Sequence, residues 1–234
     1  EGVTRLTLNR PDKRNALSPE LIQALITALE RAKEDPLSRV VILSGRGQHF
    51  CAGADLTQMA AMAKASLEEN TQDAHQLATL LYNLYHFPKP TLAQVQGATY
   101  GGGIGLIAAC DMAIAEAQAT FCFSEVKLGL IPAVISPFVL QAMGPRAALP
   151  LWMTAEPFDA TTAQALQLLH TCVPAEYLSD HATQQAQRLA ALPSHALHAC
   201  KALARAVATQ AITPSLMKQT AAWLAQQRQH LETP

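Results

Sequence analysis

Two glycine-containing loops are the first features of this sequence whose residue types and spacing suggest chemistry. They are HFCAGADL, residues 49 to 56, and YGGGIG, residues 100 to 105, and each follows a short apolar run. If the two apolar runs are neighbouring strands of a sheet, both loops open at the same edge, and each offers backbone N–H groups at a helix start. Such groups, unobstructed by side chains, hold an anion or a developing oxyanion. The two loops together therefore predict a site for a thioester or another carbonyl.

A glutamate downstream of the loops, Glu125, is the candidate acid or base. Its apolar neighbours Phe121, Phe123, Val126 and Leu128 predict a pocket. Burial in such a pocket raises the pKa of a carboxyl group towards a range that suits proton transfer. The competing interpretation is a carboxylate exposed on a strand-to-helix turn.

The elements that position these residues alternate between strands and helices. Residues 39 to 45 and 91 to 97 are short, almost wholly apolar runs, the pattern of strands covered on both faces. One helix is predicted to begin with Ser18 as N-cap and Pro19 in its first turn, and another opens near Gly102. The other elements predicted in this part are a strand at 3 to 9, a helix at 77 to 87, and strands at 110 to 115 and 119 to 123. This alternation with short connections predicts an α/β core.

After Pro137 the sequence becomes helical in character. The helices are predicted at 161 to 169, 175 to 192, 194 to 208 and 214 to 231. The last of these is amphipathic and rich in alanine and glutamine, so it is predicted to pack against another element rather than stand alone.

Composition excludes several classes of partner. Charged residues make up 15% of the 234 residues and the formal net charge is -1, so the chain has no basic footprint for nucleic acid and no polybasic membrane patch. No apolar run approaches the roughly 20 residues that span a bilayer, and the first ten residues do not resemble a signal peptide. These features predict a soluble, cytoplasmic protein with no nucleic-acid or membrane partner.

The cysteines, histidines and remaining acids are predicted to be structural. The five cysteines include no close pair, so they are predicted to be reduced core residues and not a metal site. His195 and His198 form the only close histidine pair, and with no carboxylate ligand nearby they are assigned to surface or packing. Asp55 is predicted to cap a helix, and Asp111 to accept hydrogen bonds at a strand start.

Two alternatives compete with the carbonyl site. Gly103 to Ala108 matches the dinucleotide pattern G-x-G-x-x-A, and Glu125 follows about 20 residues later. That pattern belongs between a strand and a helix in an opening βαβ unit, whereas here it lies in the middle of the chain after extra glycines. The second alternative is that the glycines only permit close packing of a helix on a strand. Two such loops with a downstream carboxylate favour the carbonyl site over both.

Four blocks of the sequence together resemble the crotonase superfamily, the enoyl-CoA hydratases and isomerases. The blocks are NRPDKRNALS (9 to 18), HFCAGADL (49 to 56), KPTLAQVQGATYGGGIGLIAACDMAIA (89 to 115) and FCFSEVKLGLIPAVISPFV (121 to 139). The resemblance covers nearly the whole chain in the family's order, and several separate matched blocks make it more specific than any single motif.

The resemblance implies an α/β fold in which ββα units stack as a spiral. The spiral would occupy residues 1 to 137 and carry the CoA and catalytic sites. Residues 138 to 234 would form a helical region of the same chain that builds a homotrimer, often a dimer of trimers. The family also implies a few residues before the first strand and a final short helix with a basic motif, so the sequence is expected to lack the segment that reaches over a neighbouring subunit's CoA site.

For the active site, the resemblance implies that the backbone N–H groups of Ala54 and Gly102 hold the thioester oxygen of an acyl-CoA. It also implies that Glu125 protonates or deprotonates the α-carbon. No metal and no cofactor beyond the CoA moiety of the substrate are implied.

The resemblance further implies that CoA binds around the first loop. Ala52, Ala54 and Leu56 are the candidates for backbone contacts to CoA. Lys13 and Arg14 are candidates for contacts to its phosphates, and the competing interpretation of these two is a solvated turn.

Hydratases of the family use two glutamates, and here the first position is Gly105. With Glu125 alone, the simplest reaction is a proton shuttle between the α- and γ-carbons, which is double-bond isomerisation. However, residues 125 to 139 most resemble the hydratases of branched, carboxylated enoyl-CoAs, such as 3-methylglutaconyl-CoA in leucine breakdown or carboxygeranoyl-CoA in terpenoid breakdown. Hydratase is therefore the first prediction, isomerase the second and a non-catalytic acyl-CoA binder the third.

The acyl pocket is not identified by the sequence, because periodicity does not separate pocket residues from core residues. The candidates, most of which are predicted to be core, are Met59, Met62, Leu80, Leu84, Ile135 and Phe138.

Overall fold

The computed structural model describes residues 1 to 230 and divides into two compact units. The first unit, Glu1–Ala190, contains all the strands of the described chain, and the second begins at Ala191. The predicted division after residue 137 does not coincide with this boundary. Helical residues beyond it, including Val139 and Ala148, belong to the main hydrophobic core of the first unit.

Eight strands are assigned in the described chain. They are β1 (Val3–Leu8), β2 (Val40–Gly45), β3 (Thr91–Val95), β4 (Ala98–Tyr100), β5 (Met112–Glu116), β6 (Thr120–Cys122), β7 (Phe158–Asp159) and β8 (Thr171–Val173). The first unit also contains three short 3-10 helices, Pro11–Lys13, Glu125–Leu128 and Ala175–Tyr177.

The α-helices of the first unit are α1 (Pro19–Glu34), α2 (Leu56–Met62), α3 (Leu67–Tyr85), α4 (Gly102–Ala109), α5 (Ser136–Met143), α6 (Pro145–Thr154), α7 (Ala160–Ala165) and α8 (Leu178–Ala190). Those of the second unit are α9 (Ser194–Val207) and α10 (Pro214–Arg228).

A five-stranded parallel sheet forms the centre of the first unit, with strand order β1-β2-β3-β5-β8. β2 is buried on both faces. Val41 and Leu43 lie in the larger core, whereas Val40 and Ile42 pack in a second cluster with α8. The prediction of covered strands at 39 to 45 and 91 to 97 is therefore confirmed in type, and the two strands are neighbours.

The predicted strand at 91 to 97 is shorter than expected. β3 ends at Val95, Gly97 has φ +59°, and the chain enters β4, which belongs to a second, three-stranded sheet of order β4-β6-β7. A positive φ is accessible to glycine at little cost, so Gly97 permits this change of sheet. The glycine loop therefore follows β4 and not β3 directly.

The predicted starts of α1 and α4 are confirmed, whereas the predicted start of α3 is wrong. Ser18 caps α1, its side chain accepting a hydrogen bond from the Leu21 N–H at 3.3 Å, and α4 begins at Gly102 as predicted. α3 begins at Leu67, well before the predicted start at 77. A capping box of Ser66 and Glu69 marks that start, and the prediction missed it because the first turns of α3 are mostly polar.

The second unit has little core of its own. α9 contains no buried residue and α10 contains one, Leu216. Apolar side chains of both helices, among them Leu203, Trp223 and Leu224, line a groove within this unit. An apolar groove on two helices with few buried residues indicates a surface that packs against something else.

Candidate active site

The loop that contains Ala54 is held between two other segments of the chain. Cys51 forms an isolated parallel bridge to Thr99 in β4, and Ala54 forms another to Leu17, the residue before the cap of α1. The Leu17 N–H donates to the Gly53 carbonyl at 2.7 Å, and the Asp55 N–H donates to the Leu17 carbonyl at 3.1 Å. These bonds on both sides hold the backbone of Ala54 in place while the residue itself is exposed.

The two glycine loops approach each other at Gly53 and Tyr100. Gly53 has φ +88°, and a Cβ atom there would lie 2.9 Å from the Tyr100 carbonyl oxygen. A side chain at this position would be strained in its backbone and would also push the loops apart. The close approach of the loops, expected from their positions in the sequence, is therefore confirmed.

Glu125 lies against the second glycine loop at Gly101. Gly101 has φ +44°, and a Cβ atom there would lie 2.9 Å from Glu125 Oε1. The next residue, Gly102, is the first of α4. Hence Ala54 follows a residue that contacts Tyr100, and Gly102 follows a residue that contacts the Glu125 carboxylate. The backbone N–H groups of Ala54 and Gly102 donate to no other described residue. Both are therefore available to an external acceptor.

The Glu125 carboxylate is partly desolvated. Glu125 begins a 3-10 helix, its Oε2 is buried, and this atom has no hydrogen-bond partner among the described residues. Burial raises the pKa of the Glu125 carboxyl above its usual range, and the hydrogen bond to its own backbone offsets only part of that increase. This arrangement suits a group that exchanges a proton.

The apolar surroundings of Glu125 were predicted only in part. Phe121 and Phe123 are buried, with their rings close to the ring of Phe158. Val126 and Leu128 are 39% and 53% exposed, so the prediction that they bury Glu125 is wrong. They belong to a single turn of 3-10 helix, and that short turn leaves both side chains on the surface.

We expect Glu125→Gln to raise the free energy of unfolding at neutral pH. A carboxyl whose pKa is higher in the folded than in the unfolded state binds more protons when folded, so its contribution to stability decreases as the pH rises from the unfolded-state pKa to the folded-state pKa. The amide does not titrate. Urea unfolding at pH 4 and pH 7 checks this, because the gain from Glu125→Gln must be larger at pH 7; an equal gain at both pH values contradicts it.

Two other glycines of the second loop serve close packing. A Cβ atom at Gly103 would lie 2.7 Å from the Cys51 carbonyl oxygen, and one at Gly105 would overlap the side chain of Ile135. The packing interpretation is therefore right for Gly103 and Gly105. Both faces are filled by protein, which leaves no room for a dinucleotide pyrophosphate against these glycines and disfavours that alternative.

The candidate CoA contacts lie in the first loop and in the basic turn that is hydrogen-bonded to it. Lys13 and Arg14 are exposed, Ala52 is partly exposed, and Leu56 is 71% exposed at the first position of α2. Arg14 has φ +50°, and its carbonyl accepts a hydrogen bond from the Ala52 N–H at 2.9 Å. The basic turn and the loop that contains Ala54 are therefore neighbours. The backbone contacts of the loop to CoA and the contacts of the two basic side chains to its phosphates stay predictions.

Sequence reasoning missed a buried asparagine that connects these segments. Asn15 is fully buried with φ +55°, and its Oδ1 accepts a hydrogen bond from the Arg10 N–H at 2.9 Å. Its Nδ2 donates to the carbonyls of Arg46 at 2.9 Å and His49 at 2.8 Å. The asparagine in the turn RPDKRNA was the available signal, because asparagine tolerates the left-handed region and bonds nearby backbone.

Arg10 and Asp55 add an ion pair beside this asparagine. The Arg10 guanidinium donates to Asp55 Oδ2 at 2.8 Å, and Asp55 Oδ1 caps α2 by accepting from the Thr57 N–H at 2.9 Å. Two hydrogen bonds lower the pKa of the Asp55 carboxyl. The one from Arg10 has the larger effect, and the one from the Thr57 backbone has the smaller. The prediction that Asp55 is a helix cap is confirmed.

The six candidate acyl-pocket residues differ in burial. Leu80, Leu84 and Ile135 are buried in the core of the first unit. Met59 and Met62 are partly exposed on α2. The sixth candidate, Phe138, packs partly buried against the same core.

The remaining predicted structural residues are placed as follows. The Asp111 Oδ2 accepts hydrogen bonds from the Thr91 N–H at 2.8 Å and from the Thr91 hydroxyl at 3.0 Å, which confirms its structural role. The rings of His195 and His230 lie 4.8 Å apart within the second unit. All five cysteines are free thiols, but Cys200 is exposed, so the prediction of a core residue is wrong there. Of the helices within residues 1 to 230, none has the length and apolar character needed to cross a membrane.

Comparison with known proteins gives one consistent family. The model of the family described as "Enoyl-CoA hydratase/isomerase" matches residues 1 to 232. The chain is 33% identical over 230 residues to the 2,3-dehydroadipyl-CoA hydratase of Escherichia coli, covering 98% of this chain and 85% of that protein.

Two solved structures agree with this match. A Legionella pneumophila protein described as a candidate enoyl-CoA hydratase/isomerase (crotonase) is 47% identical, with a TM-score of 0.93 over 97% of this chain and 88% of that one. An enoyl-CoA hydratase from Shewanella pealeana is 41% identical, with a TM-score of 0.94 over 97% and 85% of the two chains. The crotonase-type α/β fold predicted from the sequence is confirmed.

Proposed function

We propose that this chain, which belongs to the enoyl-CoA hydratase/isomerase family, adds water across the 2,3 double bond of an enoyl-CoA. The observation that carries this proposal is the half-buried Glu125 carboxylate, which lies against Gly101 at the start of α4. This carboxylate contacts the residue before Gly102, and the backbone N–H groups of Gly102 and Ala54 donate to no other described residue.

The two backbone N–H groups polarise the thioester. With the thioester oxygen between the N–H groups of Ala54 and Gly102, negative charge that develops on this oxygen is stabilised without rearrangement of the protein. The conjugated C3 atom then becomes electrophilic. The N–H of Gly102 lies at the N-terminus of α4, where the helix dipole also favours negative charge.

Glu125 carries the protons. As a carboxylate it removes a proton from a water molecule while the water oxygen bonds to C3, and the electron pair of the double bond moves through C2 to the thioester oxygen. The protonated Glu125 then donates its proton to C2 as the enolate collapses. The product is a 3-hydroxyacyl-CoA that contains one more water, and Glu125 is again ionised.

A branched enoyl-CoA with a terminal carboxylate, such as 3-methylglutaconyl-CoA, is the substrate class that we propose. Residues 125 to 139 resemble the hydratases of such substrates. The Escherichia coli relative is named for 2,3-dehydroadipyl-CoA, which also ends in a carboxylate.

We propose that CoA lies along the exposed edge formed by Lys13, Arg14, Ala52, Ala54 and Leu56. Two exposed basic side chains beside the loop suit the CoA phosphates. The reaction then needs no cofactor beyond the CoA of the substrate. We also propose that the chain forms a homotrimer, and the apolar groove of α9 and α10 supports this because it leaves apolar side chains without a partner in its own unit.

Product analysis tests the proposed reaction. The protein is incubated with 3-methylglutaconyl-CoA, crotonyl-CoA and a 3-enoyl-CoA, and the products are identified by mass spectrometry. We expect a gain of one water on a 2-enoyl-CoA, and its absence with Glu125→Gln. A product of unchanged mass with a moved double bond would replace hydration by isomerisation.

Isomerisation is the second candidate because Glu125 has no partner carboxylate at Gly105. In this reaction Glu125 would remove a proton from C2 of a 3-enoyl-CoA and return it to C4. A non-catalytic acyl-CoA binder is the third, and the half-buried Glu125 carboxylate, which suits proton exchange, argues against it. Product formation from none of the three substrates would favour this binder.

A further inference from the structure

The space beside Gly105 is filled by Ile135. A Cβ atom at Gly105 would overlap Ile135 Cγ2, and it would also lie 3.0 Å from Ile135 Cβ and 3.3 Å from Leu81 Cδ1. Ile135 is 3% exposed and belongs to the main hydrophobic core of the first unit, so its side chain cannot move aside into solvent. The absence of a side chain at Gly105 and the presence of a bulky one at Ile135 are therefore complementary.

This contact lies on the face of α4 that continues from the oxyanion loop. Gly102 and Gly105 are three residues apart on one helix and share a face. A Cβ atom at Gly102 would meet Leu17 and Leu77, just as one at Gly105 meets Ile135 and Leu81. The face is lined by apolar side chains at both positions.

The same contact anchors the segment that contains Glu125. Glu125 contacts Gly101 at the start of α4, and ten residues later Ile135 precedes α5 and packs against Gly105, one turn further along α4. Both ends of the segment between residues 125 and 135 are therefore attached to one helix. An acidic side chain at position 105 would have to displace this attachment.

We propose that Ile135 is a specificity-determining residue: by filling the space beside Gly105 it holds the active site to a single carboxylate, so that Glu125 carries both proton transfers. This inference rests on the proposed function. It assigns the single-carboxylate chemistry to a pair of residues and not to Gly105 alone.

A stability cycle tests the complementarity. We expect Gly105→Ala to lower the melting temperature by several degrees, Ile135→Ala to lower it through the cavity it leaves, and the double variant to lose less than the sum of the two single losses. Val139→Ala, a loss of buried volume one turn further along α5, is the matched control and should add normally to Gly105→Ala. Additive losses for the Gly105 and Ile135 pair would overturn the proposal.

A pH profile tests the effect on chemistry. In Gly105→Glu/Ile135→Ala, an acid enters the space vacated by Ile135, and we expect a second carboxyl ionisation in the pH dependence of kcat/KM for hydration. Gly105→Asp/Ile135→Ala provides a shorter acid if the first pair is insoluble. A profile identical to that of Ile135→Ala would overturn the specificity role.

Different results would reject the proposed function and the role of Ile135. Full turnover by Glu125→Gln would reject the proposed function and leave the stability cycle intact. A Gly105→Glu single variant that is as stable and active as the parent protein would reject the role of Ile135 and leave the proposed function intact.

Discussion

Glutamine at position 125 is expected to lower kcat for hydration of a 2-enoyl-CoA by about a hundredfold to ten-thousandfold, the usual contribution of a positioned acid or base. The amide is nearly isosteric but neither accepts a proton from water nor donates one to C2. KM is expected to change little, because the backbone N–H groups of Ala54 and Gly102 do not depend on the Glu125 charge. Steady-state kinetics with the chosen enoyl-CoA measure both parameters.

The control for this prediction is Glu176→Gln, the same change at an exposed glutamate in the 3-10 helix before α8. It should leave kcat and KM unchanged. The pH dependence gives a second check. In the parent protein kcat/KM should rise with pH as Glu125 loses its proton, with a midpoint above the usual glutamate range because burial raises the pKa of this carboxyl. A midpoint within the usual range would contradict the assignment.

Asn15→Ala is expected to lower the free energy of unfolding by about 2–4 kcal/mol, because it leaves buried backbone groups unpaired and places alanine in the left-handed region. The lost bonds join Arg10, Arg46 and His49. These residues flank the loop with the Ala54 N–H, so we expect kcat to fall at temperatures where the variant remains folded.

Urea unfolding and kinetics at low temperature measure these two effects. Asn9→Ala is the matched control, since Asn9 is an exposed asparagine of the same turn whose only side-chain bond given by the structure is a 3.4 Å contact from Arg46. If Asn15→Ala and Asn9→Ala unfold at the same urea concentration, the role of Asn15 as a connector is wrong.

The sequence by itself determined the elements whose signals are local. The cap at Ser18, the helix start at Gly102, the apolar run that became β2, and the candidate carboxylate Glu125 were each predicted from a few neighbouring residues. Cap chemistry and apolar runs act over one or two turns, so they can be interpreted without knowledge of the fold. The family was also apparent from the sequence, because several blocks matched in order.

Only the tertiary structure decided what lies against each glycine. Gly53, Gly101 and Gly105 are the same residue type in the sequence. In the structure they face a carbonyl, a carboxylate and an isoleucine from three different segments. The burial of Asn15 and the exposure of Val126 and Leu128 were decided in the same way. These contacts join residues far apart in the chain, and their partners depend on how the strands and helices pack, which no local pattern contains.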